Sequence, residues 1–298
     1  MAAVSGPRSA SRRPEWLDDL SFPVGPPHLS MGLRALGDEP WLVADEHRSA
    51  ELAEKRRLTV ERPDEVFAAR PGTEVAGAEV LDAVVTWVRA HDLDAPGSDA
   101  APAHPLGRAG LLVQEDLCLL VDHGGSWHLD AASLHFPSHW RLADKLGLPL
   151  SAVHGPVAHY EHELAGRVDT VHARLQPGRP LLRRNWTLHE HDTLFAPVPA
   201  GWSEAEVAHT HPERWTLRSE RQTLLALPSS GAVLFTIRTQ QVPLGVLAQR
   251  PDRAADLAAC LRALSPELED YKGLAPVREP LLTWLDHQTT RSVGDPAR

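Results

Sequence analysis

LRSERQTLLALPSSGAVLFTIRT, residues 217–239, sets two apolar, strand-like runs on either side of Pro228-Ser229-Ser230-Gly231. Two such runs around a small-residue turn read as a β-hairpin. Each run also carries an arginine where a sheet would pack. With Ser229 and Ser230 at the tip, facing positions sum to 459, which sets Arg221 directly across from Arg238. Like charges facing each other across strands destabilise the pair unless something offsets them. A slip of one residue would send either side chain to the other face, so the inference is one of register. In this register the hairpin presents two guanidiniums to an anion.

Outward from the hairpin, LLVQEDLCLLVDH (111–123) and SWHLDAASLHF (126–136) form a second pair of strand-like runs, joined by Gly124-Gly125. RRNWTLHEH (183–191) alternates like a further strand. Helical patterns occupy 41–60, 75–91, 161–175, 251–264 and 278–288, and a short one, stopped by Gly147, is expected over 137–147. The Pro/Gly/Asp-rich stretch 92–110 reads as a loop, and 152–160, which contains Pro156, as irregular. Hairpin-paired strands with helices before and after favour an α+β fold on an antiparallel sheet. Residues 1–20 and 289–298 are expected as flexible tails around one domain spanning 21–288, with no internal repeat.

Of the 298 residues, 42% are apolar, ample for a core, and 23% are charged. A formal net charge of −10 argues against a sequence-independent grip on nucleic acid. No run approaches the ~18 apolar residues of a membrane span. The first 14 residues are small, polar and basic and lack the apolar core of a secretory signal, so the cytoplasm is the expected compartment. Cys118 and Cys260 are too few for a disulfide framework or a four-thiolate metal site.

Histidine is abundant, with 17 copies, so position has to decide which of them matter. His159/His162, His189/His191 and His209/His211 lack a carboxylate or cysteine at a metal-ligand spacing; His189 and His191 sit in an exposed-looking acidic run. His154 differs, because Gly155-Pro156 stiffens the segment that follows it. It is either a functional ligand or a satisfied core histidine. Arg183 and Arg184 precede Asn185-Trp186 and read as a solvated strand end or as part of the anion site of Arg221. No Walker loop, GxGxxG, GxSxG or HExxH occurs in the chain.

The ordered blocks VQEDLCLLV, LHFPSHWRLADKLG, VHGPVAHY, RRNWTL, LRSERQTLLALPSSGAVLFTIRT and LSPELEDYKGL resemble the haem-dependent oxidative N-demethylase α subunits over about residues 20–288. The resemblance implies a PAS-like haem domain that uses O2 and supplied electrons to hydroxylate an N-methyl group. The product then breaks down to formaldehyde and the demethylated amine. It further implies haem b, a small secondary amine resembling dimethylamine, a separate NAD(P)H-dependent flavin and iron–sulfur reductase, and a folate-dependent partner. Under it, His154 becomes the axial ligand, with His135 and His159 as alternatives. Arg221 becomes the oxygen-side catalytic residue and Arg238 a propionate partner, roles that could be exchanged. Arg184 and Trp186 would line the haem pocket. Two departures stand out: Ala158 replaces the second proline of an HxPVP-type block, and Gln240 stands where IRTY would place tyrosine. Both would reshape the pocket for the amine. A haem-binding sensor without turnover, or a member that has lost haem, are the competing readings.

Overall fold

In the computed structural model, the described residues are 14–23, 32–94, 102–153, 165–198 and 211–291. The hairpin forms as β6 (Thr216–Ala226) and β7 (Val233–Pro243), with Arg221 facing Arg238 in the register expected from its two central serines. The Leu227 N–H donates to the Ala232 carbonyl at 2.8 Å, and Gly231 supplies the left-handed residue, with φ 71°, that the turn requires. Glu79 ties the tip down, accepting the Ser229 and Ser230 amides at 2.9 and 3.0 Å and the Ser230 hydroxyl at 2.8 Å. Burial pushes the Glu79 carboxyl up, but these hydrogen bonds outweigh it and hold it below the usual carboxylate range.

Around the hairpin lie β1 (Arg34–Ala35), β2 (Phe67–Ala69), β3 (Asp116–Asp122), β4 (Trp127–Ser133) and β5 (Leu181–His189). They form a seven-stranded sheet in the order β1-β5-β6-β7-β3-β4-β2, with antiparallel neighbours throughout. Gly124 and Gly125 turn the β3–β4 hairpin at φ 77° and 99°. The helices are α1 (Arg48–Glu61), α2 (Pro63–Val66), α3 (Glu74–Ala90), α4 (Pro105–Gly110), α5 (Leu150–Val153), α6 (Ala165–Arg174), α7 (Pro251–Ala263), α8 (Pro266–Tyr271) and α9 (Arg278–Arg291). The fold is α+β, as expected.

The two-residue period of the strands divides the sheet into two faces. One face carries Leu217, Ser219, Arg221, Thr223 and Leu225 of β6 beside Val242, Gln240, Arg238, Thr236 and Leu234 of β7. Its ends are apolar. Leu225 and Leu234 join Leu117 and Leu119 beneath α3 and α4, whereas Leu217 and Val242 join Trp186 and Leu188 beneath α7 and α9. Burying one leucine contributes roughly 1.5–3 kcal/mol, so these two cores hold the helices while the polar belt between them is left for other work. The opposite face carries Cys118, Leu120, Leu224, Val233, Phe235 and Ile237 in a third core that includes Leu142, Leu150, Val153 and Leu175.

Several boundaries differ from expectation. Leu17 and Leu20 are buried in the core beneath α7 and α9, so the expected 1–20 tail reaches too far into the chain. α9 continues to Arg291, past the expected start of the second tail at 289. The expected helix over 41–60 begins only at Arg48, because residues before it are drawn onto the arginine face. Within the expected 92–110 loop, α4 forms with Pro105 in its first turn and His104 Nδ1 accepting the Leu106 N–H at 3.2 Å. Over 137–147 there is a single 3-10 turn, Leu142–Asp144, in place of a helix. His139 is there held at φ 61°, and its N–H donates to the Ala196 carbonyl at 2.7 Å, a long-range contact that propensity does not report.

Candidate functional site

Strand pairing brings three arginines abreast. Arg184 of β5 faces Arg221 of β6, which faces Arg238 of β7, and Trp186 lies in the next row of the same face with Ser219 and Gln240. The candidates Arg184, Trp186, Arg221 and Arg238 therefore converge on one surface. Their partners differ sharply.

Arg238 is 1% exposed and meets the protein's own carboxylates, with Asp45 at 2.6 Å and Glu51 at 2.8 Å. Gln114 bridges those two acids, donating to Asp45 at 2.9 Å and to Glu51 at 2.7 Å. Burial disfavours the Arg238 charge, but Glu51 and Asp45 outweigh it and raise its pKa. Burial likewise pushes the Asp45 carboxyl up, and Arg238 and Gln114 reverse the shift to below the usual range. Glu115, next to this cluster, accepts the Val43 N–H at 2.8 Å, and burial raises its pKa. The anion expected opposite Arg238 is thus supplied by the segment leading into α1 and by α1 itself.

Arg221 and Arg184 are held less tightly. Arg221 donates to the Pro40 carbonyl at 2.6 Å and reaches Glu39 only at 3.5 Å. Arg184 donates to Gln240 Oε1 at 2.9 Å and to the Ser219 hydroxyl at 3.3 Å, with Asp19 at 3.5 Å. Gln240, where a tyrosine was expected, therefore supplies a neutral acceptor to Arg184. Trp186 packs edge-on against Phe22 with ring centroids 5.5 Å apart, and Lys272 lies 4.4 Å over its ring while donating to its carbonyl. Burial lowers the Lys272 ammonium to about 8.

The opposite face holds a second polar set that sequence reasoning missed. Thr187, Arg218 and Gln241 form one cross-strand row there, and Asn185, Glu220 and Thr239 form the next. Arg218 is fully buried, donating to the Leu194 carbonyl at 3.0 Å, to Thr239 Oγ1 at 3.1 Å and to the Phe136 carbonyl. Its Nε lies 3.6 Å from Glu220 Oε1 in an ion pair, whereas the Thr187 hydroxyl and both amide atoms of Gln241 are buried without a hydrogen-bond partner among the described residues. Buried polar groups left this way mark a place where a bound group or water completes the set. The signal in sequence was the alternation of TLRSERQ itself, which gives Arg218 and Arg221 opposite faces.

Of the expected ligands, His154 and His159 lie outside the described residues, as does Ala158. Val153, the last described residue before His154, packs in the core of the opposite face, away from the three arginines. His135 is 1% exposed, with its Nε2 3.0 Å from the Thr59 hydroxyl and its backbone N–H donating to Asp116 at 2.8 Å. Burial and nearby Lys55 push its pKa well down, so it is locked into the scaffold as a neutral ring. Among the described residues, no group of three or more His, Cys, Asp and Glu could hold a metal ion.

His189, expected in an exposed run, is instead buried: β5 points it inward, where it stacks on His139 at 4.4 Å and meets Ser138 Oγ at 3.1 Å. Burial first, then Arg218 and His139, lowers its pKa from 6.5 to about 3. Below pH 6.5 the unfolded chain binds a proton that the folded ring refuses, so this contribution is complete above pH 6.5 and is lost as pH falls toward 3. Chemical denaturation between pH 8 and 4 is expected to show His189→Gln with a shallower acid loss than the parent. The difference should approach about 1.4 kcal/mol per pH unit well below the unfolded pKa. Parallel profiles would remove His189 from the acid response.

The model of one protein family, described as haem-dependent oxidative N-demethylase, alpha subunit-like, matches residues 86–282. The match spans β3 to β7, both polar sets and part of α9. Among the described residues no helix is long and apolar enough to cross a membrane.

Proposed function

The chain belongs to the haem-dependent oxidative N-demethylase, alpha subunit-like family, and from that premise we propose that it demethylates a small secondary amine with haem b seated on the face opposite the arginine row. The observation that supports this reading is the packing of the described residues that flank 154–164 in sequence. Val153 on one side, and His172 and Leu175 on the other, return to that face: Val153 and Leu175 join its core, and the His172 ring lies 5.7 Å from Trp127. His154 is the proposed axial ligand.

The residues present fit the group. Leu181, Leu224, Phe235 and Trp140 provide an apolar surface for a macrocycle. Three same-face rows along the strands, roughly 20 Å away, Thr187 and Gln241 hold unpartnered polar atoms and Arg218 is shared with Glu220, a set able to bind a propionate or an oxygen-side ligand. On this reading Arg218 takes the donor role first expected of Arg221. Arg238 is neutralised by Asp45 and Glu51, so it anchors the scaffold in place of a propionate. The PAS-like reading of the sheet belongs with this placement.

Haem, when bound, supplies the oxygen chemistry, with two electrons from a separate NAD(P)H-dependent flavin and iron–sulfur reductase. In balance, one dimethylamine, one O2, two electrons and two protons give one methylamine, one formaldehyde and one water. The chain's own residues would orient the amine and exclude water. A folate-dependent partner that accepts formaldehyde completes the proposal.

Protein loaded with haem, reduced in air with dimethylamine, is expected to release formaldehyde and methylamine in equal amounts. A stoichiometric Soret band with no amine turnover, and none with other N-methyl amines, would favour the sensor reading. Protein that stays colourless with excess haem would overturn both.

A further inference from the structure

We infer that Arg184 and Arg221 form a binding site for a small oxyanion, a carboxylate or phosphate, on the sheet face opposite the proposed haem. The two guanidiniums are borne by directly paired residues. Paired positions stand about 5 Å apart at Cα, so the charges crowd each other. Burial lowers the Arg221 pKa, with Arg34 adding to it, and outweighs the raising effect of Glu39 and Glu115; burial and then Arg221 itself lower that of Arg184 against the opposing pull of Asp19.

The neighbouring Arg238 shows what full neutralisation looks like in this protein: two carboxylates at 2.6 and 2.8 Å, bridged by a glutamine. Arg184 and Arg221 have nothing comparable. Among the described residues the nearest carboxylate to each is 3.5 Å away, and those carboxylates, Asp19 and Glu39, are 62% and 40% exposed. Glu39 is also drawn off by Arg34 at 2.5 Å. The closer contacts of the pair are neutral: Gln240, Ser219 and the Pro40 carbonyl.

Two guanidiniums side by side, with side chains only 12% and 4% exposed, make a fork that suits the oxygens of a carboxylate or phosphate. The exposed acids then act as placeholders that a tighter oxyanion displaces. Ser219 and Gln240, facing each other in the next row, would complete the floor. This site does not depend on the haem reading, because its residues lie on the other side of the sheet.

Calorimetric titration with inorganic phosphate, and separately with acetate, at constant ionic strength tests it. Saturable binding is expected, weakened at least tenfold in Arg184→Gln and Arg221→Gln and unchanged in Arg57→Gln, a surface arginine paired with Glu54 and Glu61. Asp19→Asn and Glu39→Gln are expected to bind more tightly, because each removes a competing carboxylate. That gain cannot arise from misfolding, so it holds the test open even where an arginine variant fails to fold. No saturable binding to the parent, or equal binding in Arg184→Gln, would overturn the site. Loss of the Soret band in well-folded Arg184→Gln would also overturn it, by assigning the pair to a haem propionate.

Discussion

Arg238→Met is expected to destabilise the protein by about 3–5 kcal/mol, the cost of stripping one partner from a buried charge cluster. Arg238 is 1% exposed, and its removal leaves Asp45 and Glu51 facing each other through Gln114 with no cation between them. Lys55 cannot substitute, since its ammonium is committed to Asp116 at 3.4 Å and to the carbonyls of Gly110 and Glu115. The segment leading into α1 is drawn onto the sheet by this cluster, so its release should accompany the loss. Urea denaturation measures the first effect, and amide exchange over 39–51 the second. Asp45→Asn and Glu51→Gln added to Arg238→Met are expected to recover much of the deficit, because the two carboxylates that faced Arg238 then carry no charge. An unfolding curve for the single variant that matches the parent would mean that the cluster is neutral in the balance.

His154→Ala is expected to abolish the Soret band while leaving the unfolding transition of the apoprotein in place. Haem needs an axial ligand, most often a histidine. His135→Ala separates the ligand role from folding. His135 is buried against Thr59 and Asp116, so its loss should cost stability yet leave haem bound in the folded fraction. His159→Ala is expected to keep the band. Full haem occupancy in His154→Ala would sink the ligand assignment, and with it the main reason for placing haem on that face.

Local pattern was enough to specify the centre of the sheet. Ser229-Ser230 between two alternating runs fixed the register, and with it the meeting of Arg221 and Arg238, because a hairpin's pairing follows from its turn. Gly124-Gly125 set the pairing of β3 and β4 only as far as Leu120 and Leu129, beyond which a bulge between Leu119 and Leu120 shifts the register by one residue. Long periodic helices such as α3 and α7 were legible for the same local reason. The ordered blocks also carried the family.

What occupies each arginine was not legible, since it depends on chain segments far away in sequence. Asp45 and Glu51 lie nearly two hundred residues before Arg238, and Pro40 lies comparably far before Arg221. Strand alternation puts Arg218 and Arg221 on opposite faces, but only the tertiary structure shows that Val153 and Leu175 pack on the face of Arg218. His139 and His189 are a similar case: an acidic, polar run looked exposed until β5 turned one imidazole inward onto another. Charge and periodicity are written locally, whereas burial and charge pairing are settled by whichever distant segment folds on top. Long-range packing therefore turned one expected anion site into two differently equipped faces of a single sheet.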